Sequence, residues 1–291
     1  VYILFKKKGK TKQQSDSPLG VLTQMLRFLR RLLFLILIAH TRLVHSHTPA
    51  FDTEQDGPSL SALFQWRDAR ASFYAPADPG DNVGGACGFG DLTSAGYGLA
   101  TAAVSEALFK RGQICGGCFE IRCVKDLKYC LPGTSIKVTT TNFCAPNYGF
   151  PADAGGKCNP PNEHFVLPIE AFEKIAIWKG GNIPIEYRRV KCVKDGGMRF
   201  VVSGAGLFVS VLISNMGGAG DVSAVKIKGS RTGWLPMGRN WGQNWQIISD
   251  LKNQPLSFEV TDSDGATVVS YNVAPKDWDF HQTFQGKQFP S

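Results

Sequence analysis

Three of the six tryptophans crowd one stretch, Trp234, Trp241 and Trp245, with glycines and amides around them. Flat indole rings stack on the apolar faces of pyranose rings, while amides bond the hydroxyls. Trp241 and Trp245 stand four apart, so one extended strand turns both to the same face, and Gln243 with them. The same rings would also suit the interior of a β-sandwich. The polar flanks Arg239-Asn240 and Gln243-Asn244 favour a surface platform. An uncharged glucan offers Lys and Arg nothing to seize, so aromatic area is the available source of affinity.

Bond-breaking residues are harder to find. Glycoside cleavage needs two carboxylates at a fixed separation across one bond. The candidates in the first half are Asp91, Asp153 and Glu163, and none stands in a context that would raise its pKa. His164 lies in Glu163-His164-Phe165-Val166, and a lone histidine beside apolar residues reads as structural. No Gly-x-Ser-x-Gly elbow, His-Glu-x-x-His pair or P-loop occurs.

Eight cysteines lie between Cys87 and Cys192. An even count behind a secretory segment points to disulfides. Cys115-x-x-Cys118 alone resembles half a zinc site, but a zinc ribbon needs a second such pair and none is present. Spacing leaves the pairing open. No cofactor motif appears.

The charge of +8 is confined to the start of the chain. Residues 1–46 hold nine Lys/Arg and one acid, leaving 23 basic and 23 acidic residues in the remainder. A nucleic-acid binder needs its basic excess on the folded body, so that class is excluded. Arg27, Arg30 and Arg31 precede the apolar run 32–39, too short for a membrane span and suited to a signal-peptide core. Met25 reads as the true start of that segment, with cleavage between Ala39 and Thr48 and no span left after removal. The expected location is therefore extracellular.

The elements that must position these residues divide at the last cysteine. Residues 47–65 read as a polar leader, 66–193 as a loop-rich first domain and 194–291 as a cysteine-free second domain. Apolar periodicity predicts helices over Leu99–Arg111 and Pro168–Lys179, with Gly112 and Gly180-Gly181 as their stops. Phe119–Ile121 and Ile136–Thr140 read as strands. In the second domain Met198–Val202, Leu207–Ile213, Val225–Lys228 and Leu256–Val260 read as strands, and Asp262-Ser263-Asp264-Gly265 as a hairpin turn. The fold class is mostly β: a small barrel followed by a β-sandwich.

Gly84-Gly85-Ala86-Cys87-Gly88-Phe89-Gly90, Cys115-Gly116-Gly117-Cys118-Phe119-Glu120-Ile121-Arg122-Cys123, Thr141-Asn142-Phe143-Cys144 and Cys158-Asn159-Pro160-Pro161 resemble the first domain of plant α-expansins. Gly217–Val222, Lys228–Trp234 and Arg239–Trp245 resemble the second. The resemblance runs from Trp66 to Phe289. It implies a six-stranded double-psi β-barrel, like that of family-45 endoglucanases, then an immunoglobulin-like cellulose-binding sandwich. It implies the pairs Cys87–Cys115, Cys118–Cys192, Cys123–Cys130 and Cys144–Cys158. It implies a groove over Ser72, Tyr74, Asp91, Asn142 and His164, and a platform of Phe208, Trp234, Trp241, Gln243 and Trp245. It also implies a monomer in the plant cell wall, with cellulose and matrix glucans such as xyloglucan as partners. Wall loosening without hydrolysis, strongest at acidic pH, is the implied activity.

One position departs from the family. The usual His-Phe-Asp is here His164-Phe165-Val166. That aspartate matches the catalytic acid of the endoglucanases, and a valine can neither give nor take a proton. The family's Thr-Phe-Tyr is Ser72-Phe73-Tyr74, which keeps the hydroxyl.

Overall fold

The computed structural model describes residues 65–74 and 85–290, together with Arg27 and residues 29–31. The chain divides into one unit of Val1–Gly57 and another of Pro58–Ser291. In the first, the described residues form a helical fragment. The rest of the expected signal segment and nearly all of the leader lie outside the described residues. Among the described residues no helix is long and apolar enough to cross a membrane.

Six strands of the second unit close into a barrel. They are β1 (Arg67–Tyr74), β2 (Thr101–Val104), β3 (Cys118–Cys123), β4 (Ile136–Phe143), β5 (His164–Pro168) and β6 (Asn182–Val190). Their order around the barrel is β1-β5-β2-β4-β3-β6. The pairs β1/β5 and β2/β4 run parallel and the others antiparallel. Alternate residues fill the interior, as a pleated strand demands. Ala71, Phe119, Ile121, Phe165, Leu167, Ile183 and Ile185 are all buried there. Phe119, Phe165 and Tyr187 meet edge-on or tilted, with ring centroids 5.0 to 5.7 Å apart.

Both expected long helices are corrected. Residues 101–104 form β2, because Ala102 and Val104 enter the core with period two. Only one helical turn follows, α1 (Glu106–Phe109), ended by Lys110 in a left-handed conformation. The second helix shrinks to α2 (Ile169–Phe172). Ala176 is drawn instead into a bridge with Cys130, and Leu131 N–H donates to Ile175 O at 2.9 Å. These loop pairings override the local helical pattern.

The remaining strands form two facing sheets. They are β7 (Arg199–Ala205), β8 (Phe208–Ser214), β9 (Val222–Lys228), β10 (Leu235–Pro236), β11 (Gly238–Trp241), β12 (Asn244–Ile248), β13 (Leu256–Asp262), β14 (Thr267–Ala274) and β15 (Gln282–Gln285). One sheet has the order β10-β9-β13-β14 and the other β11-β12-β8-β7-β15. Their inner faces share one apolar core, in which Phe200 stacks on Phe258 at 4.4 Å. The expected Asp262–Gly265 turn joins β13 to β14.

All four disulfides implied by the family resemblance are present. Cys118–Cys192 ties the start of β3 to the segment that enters the sandwich. The sandwich needs no staple because its sheets bury a large common core.

Candidate functional site

Strand register lays a row of residues across five barrel strands. Asn142 is opposite Ala103, Ala103 opposite Val166, Val166 opposite Ser72, and Ser72 opposite Asn182. With neighbouring strands about 4.8 Å apart, the row is roughly 19 Å long, room for several sugar units. The core takes the alternate residues, Ala71, Phe165 and Leu167, which leaves Ser72 and Val166 on the outer face.

Ser72 Oγ lies 2.8 Å from His164 Nε2. The histidine backbone is clamped by Ser105, whose N–H donates to His164 O at 2.9 Å and whose Oγ accepts from His164 N–H at 3.1 Å. The imidazole is buried. Burial first, then the nearby charges of Lys157 and Arg70, push its pKa down to about 4. It is therefore neutral even in moderately acidic solution, and it fixes Ser72 rather than supplying protons.

The other expected groove residues play different parts. Asn142 turns its Oδ1 to accept from Ala86 N–H and Phe143 N–H, both at 2.8 Å, and so holds the 85–88 loop. Tyr74 is half-exposed; burial raises its pKa, offset by a side-chain hydrogen bond with Thr101. Asp91 lies off the row, in an exposed turn. The Ser94 N–H donates to it at 2.5 Å and is the main cause of its lowered pKa. Glu163 is tied to Arg67 and accepts from Tyr187 Oη at 2.7 Å. No residue of the row carries a carboxylate. Val166 fills its centre with a side chain that cannot exchange a proton.

The aromatic platform is smaller than the sequence implies. A hairpin turns at Gly242-Gln243, so Trp241 and Trp245 do not share one strand. Trp241 pairs with Asn244 and is 47% exposed. Trp245 pairs with Val211 and Arg239 and faces the sandwich core, 3% exposed, under the Arg239 guanidinium at 4.4 Å. Gln243 is likewise buried and donates from Nε2 to Cys115 O at 2.5 Å. Trp234 lies just before β10 of the opposite sheet, and its ring centroid is 6.1 Å from that of Tyr271 on β14. Phe208, 40% exposed, lies with Trp241 on the outer face of the five-stranded sheet, as its pairing with Ile248 shows.

That face meets the barrel at one end. Leu212 packs against the cluster of Cys87, Phe89, Tyr97 and Cys115. Gly88, at φ +79°, lies under Trp241, and a Cβ there would come 2.7 Å from the indole Cη2. Gly242, at φ +51°, is seated against the Cys87 carbonyl. A side chain at either glycine would force the hairpin off the barrel. Arg189 of β6 forms a buried ion pair with Asp221 and donates to Ala219 O at 3.0 Å, locking the two parts. Through Trp241, Gly88, Ala86 and Asn142, the aromatic face and the barrel row become one surface. Sequence reasoning missed Ala103, Asn182 and Arg189. Only strand register and the seam single them out.

A closed barrel locked to a sandwich, with a row free of carboxylates running into exposed aromatic rings, is a polysaccharide-gripping architecture. Two family models match the chain, one described as "Expansin C-terminal domain" over residues 198–275 and one as "Lytic transglycolase" over residues 101–187. Expansin-A13 of Arabidopsis thaliana is 63% identical over 269 residues, covering 91% of this chain and 99% of that one. Expansin-A10 of Oryza sativa subsp. japonica is 66% identical over 244 residues, covering 83% and 95%. The solved apo structure of a Clavibacter michiganensis expansin superposes with a TM-score of 0.60 at 21% identity. It covers 78% of this chain and all of that one, and speaks for the fold alone. A mutant of that bacterial protein, solved in complex with cellohexaose, gives a TM-score of 0.59 at 21% identity over the same shares. The chain belongs to the expansin A family. It is thereby non-hydrolytic and not a glycoside hydrolase.

Proposed function

We propose that this chain loosens plant cell walls by holding a glucan along the joined surface of barrel and sandwich. Trp241 and Phe208 stack on the flat faces of the sugar rings, and the Asn142–Asn182 row carries the chain onward. The strand order and the seam keep that surface stiff, so a chain fitted to it is pulled from its neighbours without a bond being cut. The single observation that carries this reading is Trp241 seated on Gly88, where the two domains meet. Cellulose is the first partner, by analogy with the bacterial relative solved with cellohexaose. Xyloglucan is the second, as the matrix glucan on cellulose surfaces. The protein acts as a monomer in the wall, after secretion on the presequence 1–46, with working domains at 66–193 and 194–291. Arg27, Arg30 and Arg31 before the apolar run 32–39 support the secretion route.

One observation favours a second reading. Val166 stands in the middle of the row, where the resemblance to α-expansins implies an aspartate, so a wall-binding protein without loosening activity is the competing case. Pull-down on crystalline cellulose tests the shared part of both. Trp241→Ala should weaken binding several-fold, on the scale of the roughly 0.5–1.5 kcal/mol of one aromatic contact. Unchanged binding would remove the platform.

A further inference from the structure

A cavity of about 720 Å³ opens at the Asn182 end of the row. That volume falls within the roughly 300–1,000 Å³ of small-molecule sites and admits one or two sugar rings. Two acids of its wall are neutralised by cations from outside it. Asp68 meets Lys125 at 2.5 Å, and Glu163 meets Arg67. The two cations of the wall are not neutralised. Among the described residues, neither Arg70 nor Lys157 lies within ion-pair distance of a carboxylate. Both line the cavity together with the buried His164. Among the described residues, Asp153 is the wall's one acid without a cation on it, leaving the free charge positive by one. Arg70 is already oriented: Nε donates to Asn182 Oδ1 at 3.1 Å and Nη2 to Asn182 O at 2.6 Å. Among the described residues its Nη1 has no hydrogen-bond partner, which leaves it for a ligand. Lys157 stands exposed next to Cys158, on the loop closed by Cys144–Cys158.

We infer that this cavity binds the carboxylate of a uronic acid carried by an acidic matrix polysaccharide. Arg70 and Lys157 grip the carboxylate. Asn182, which belongs to both the row and the cavity, fixes the guanidinium and links the two sites. A neutral glucan needs none of these charges, so the cavity adds a second, acidic partner to the one held by the row. Binding of this kind is screened by salt, as contacts between partly exposed charges are.

Calorimetric titration of the full disulfide-bonded chain tests it, with trigalacturonate, its methyl ester and inorganic phosphate as probes. Trigalacturonate should bind, and its methyl ester at least about tenfold more weakly, the scale of one charge-assisted hydrogen bond. Lys157→Gln, a change on an exposed loop, should lose about tenfold for trigalacturonate, and Arg70→Lys a similar factor because the fork geometry goes. Cellulose pull-down by Lys157→Gln should match the parent. Equal binding of acid and ester, indifference to both substitutions, or phosphate competing at the same concentration as trigalacturonate would each overturn the assignment. Loss of cellulose binding by the parent, with uronate binding intact, would count against the glucan reading alone.

Discussion

Val166 and His164 occupy the middle of the row and remove proton transfer from it in two different ways. Valine has no proton to exchange, and the imidazole beside Ser72 is kept neutral by burial and by Lys157 and Arg70. The second effect has a sign that can be measured. A histidine whose folded pKa is depressed to about 4, against an ordinary 6.5, stabilises the fold above pH 6.5. That contribution drains away as pH falls from 6.5 towards 4, by on the order of 2 kcal/mol at pH 5. Denaturant titrations of the parent should therefore show stability dropping across that window, and His164→Gln should flatten the slope. A parallel fall in both proteins would mean that another group controls it. The loss of a proton-exchanging side chain at position 166 was legible once the family resemblance was drawn, whereas the expected place of Asp91 in the groove was not met. The position of the indoles was not legible. Four residues separate Trp241 from Trp245 whether they lie on one strand or across a tight hairpin, and only Gly242 in its left-handed conformation decides between them.

Among the elements, the five-stranded sheet carries exposed Trp241 and Phe208 on the face that meets the barrel at Leu212, whereas the exposed Tyr271 lies on the four-stranded sheet. Phe208→Ala should therefore lower cellulose binding, while Trp234→Ala, just before β10 of the other sheet, should leave the pull-down unchanged. Equal losses from both would place the glucan surface elsewhere. Trp245→Ala should behave as a core deletion, costing about 3–5 kcal/mol of stability, with binding lost only as the fold is lost. Four of the nine sandwich strands, β7, β8, β9 and β13, were legible because their apolar residues alternate between a buried and a wet face. The barrel helices were not. Thr101–Val104 and Ile175–Ile177 are short apolar runs whose partners, β4, β5 and the Cys130 loop, come from distant sequence. Local periodicity cannot see such pairings.

Across the whole molecule, the seam decides whether two binding surfaces act as one. Gln243 reaches Cys115 O, Arg189 holds Asp221, and Cys118–Cys192 bridges the connection. Removing one partner of a buried ion pair leaves the other uncompensated, at about 3–5 kcal/mol. Arg189→Ala should split thermal unfolding into two calorimetric transitions, barrel and sandwich, and reduce wall loosening more than cellulose binding. A single transition at the parent temperature would show that the seam is held by other contacts. Of this interface only the Cys118–Cys192 bridge was legible, through the family resemblance; Arg189, Asp221 and Gly88 look like ordinary loop and strand residues until the two domains meet, and Gln243 was read as a platform residue.

The most direct measurement is creep of heat-inactivated plant walls under constant load at acidic pH, with released reducing ends counted in the same sample. The parent protein should extend the walls with no reducing ends above the buffer control, and Trp241→Ala should extend them less. Reducing ends rising with extension, or a parent that binds the walls and leaves their length unchanged, would contradict the claim that a gripped, uncut glucan is what this protein moves.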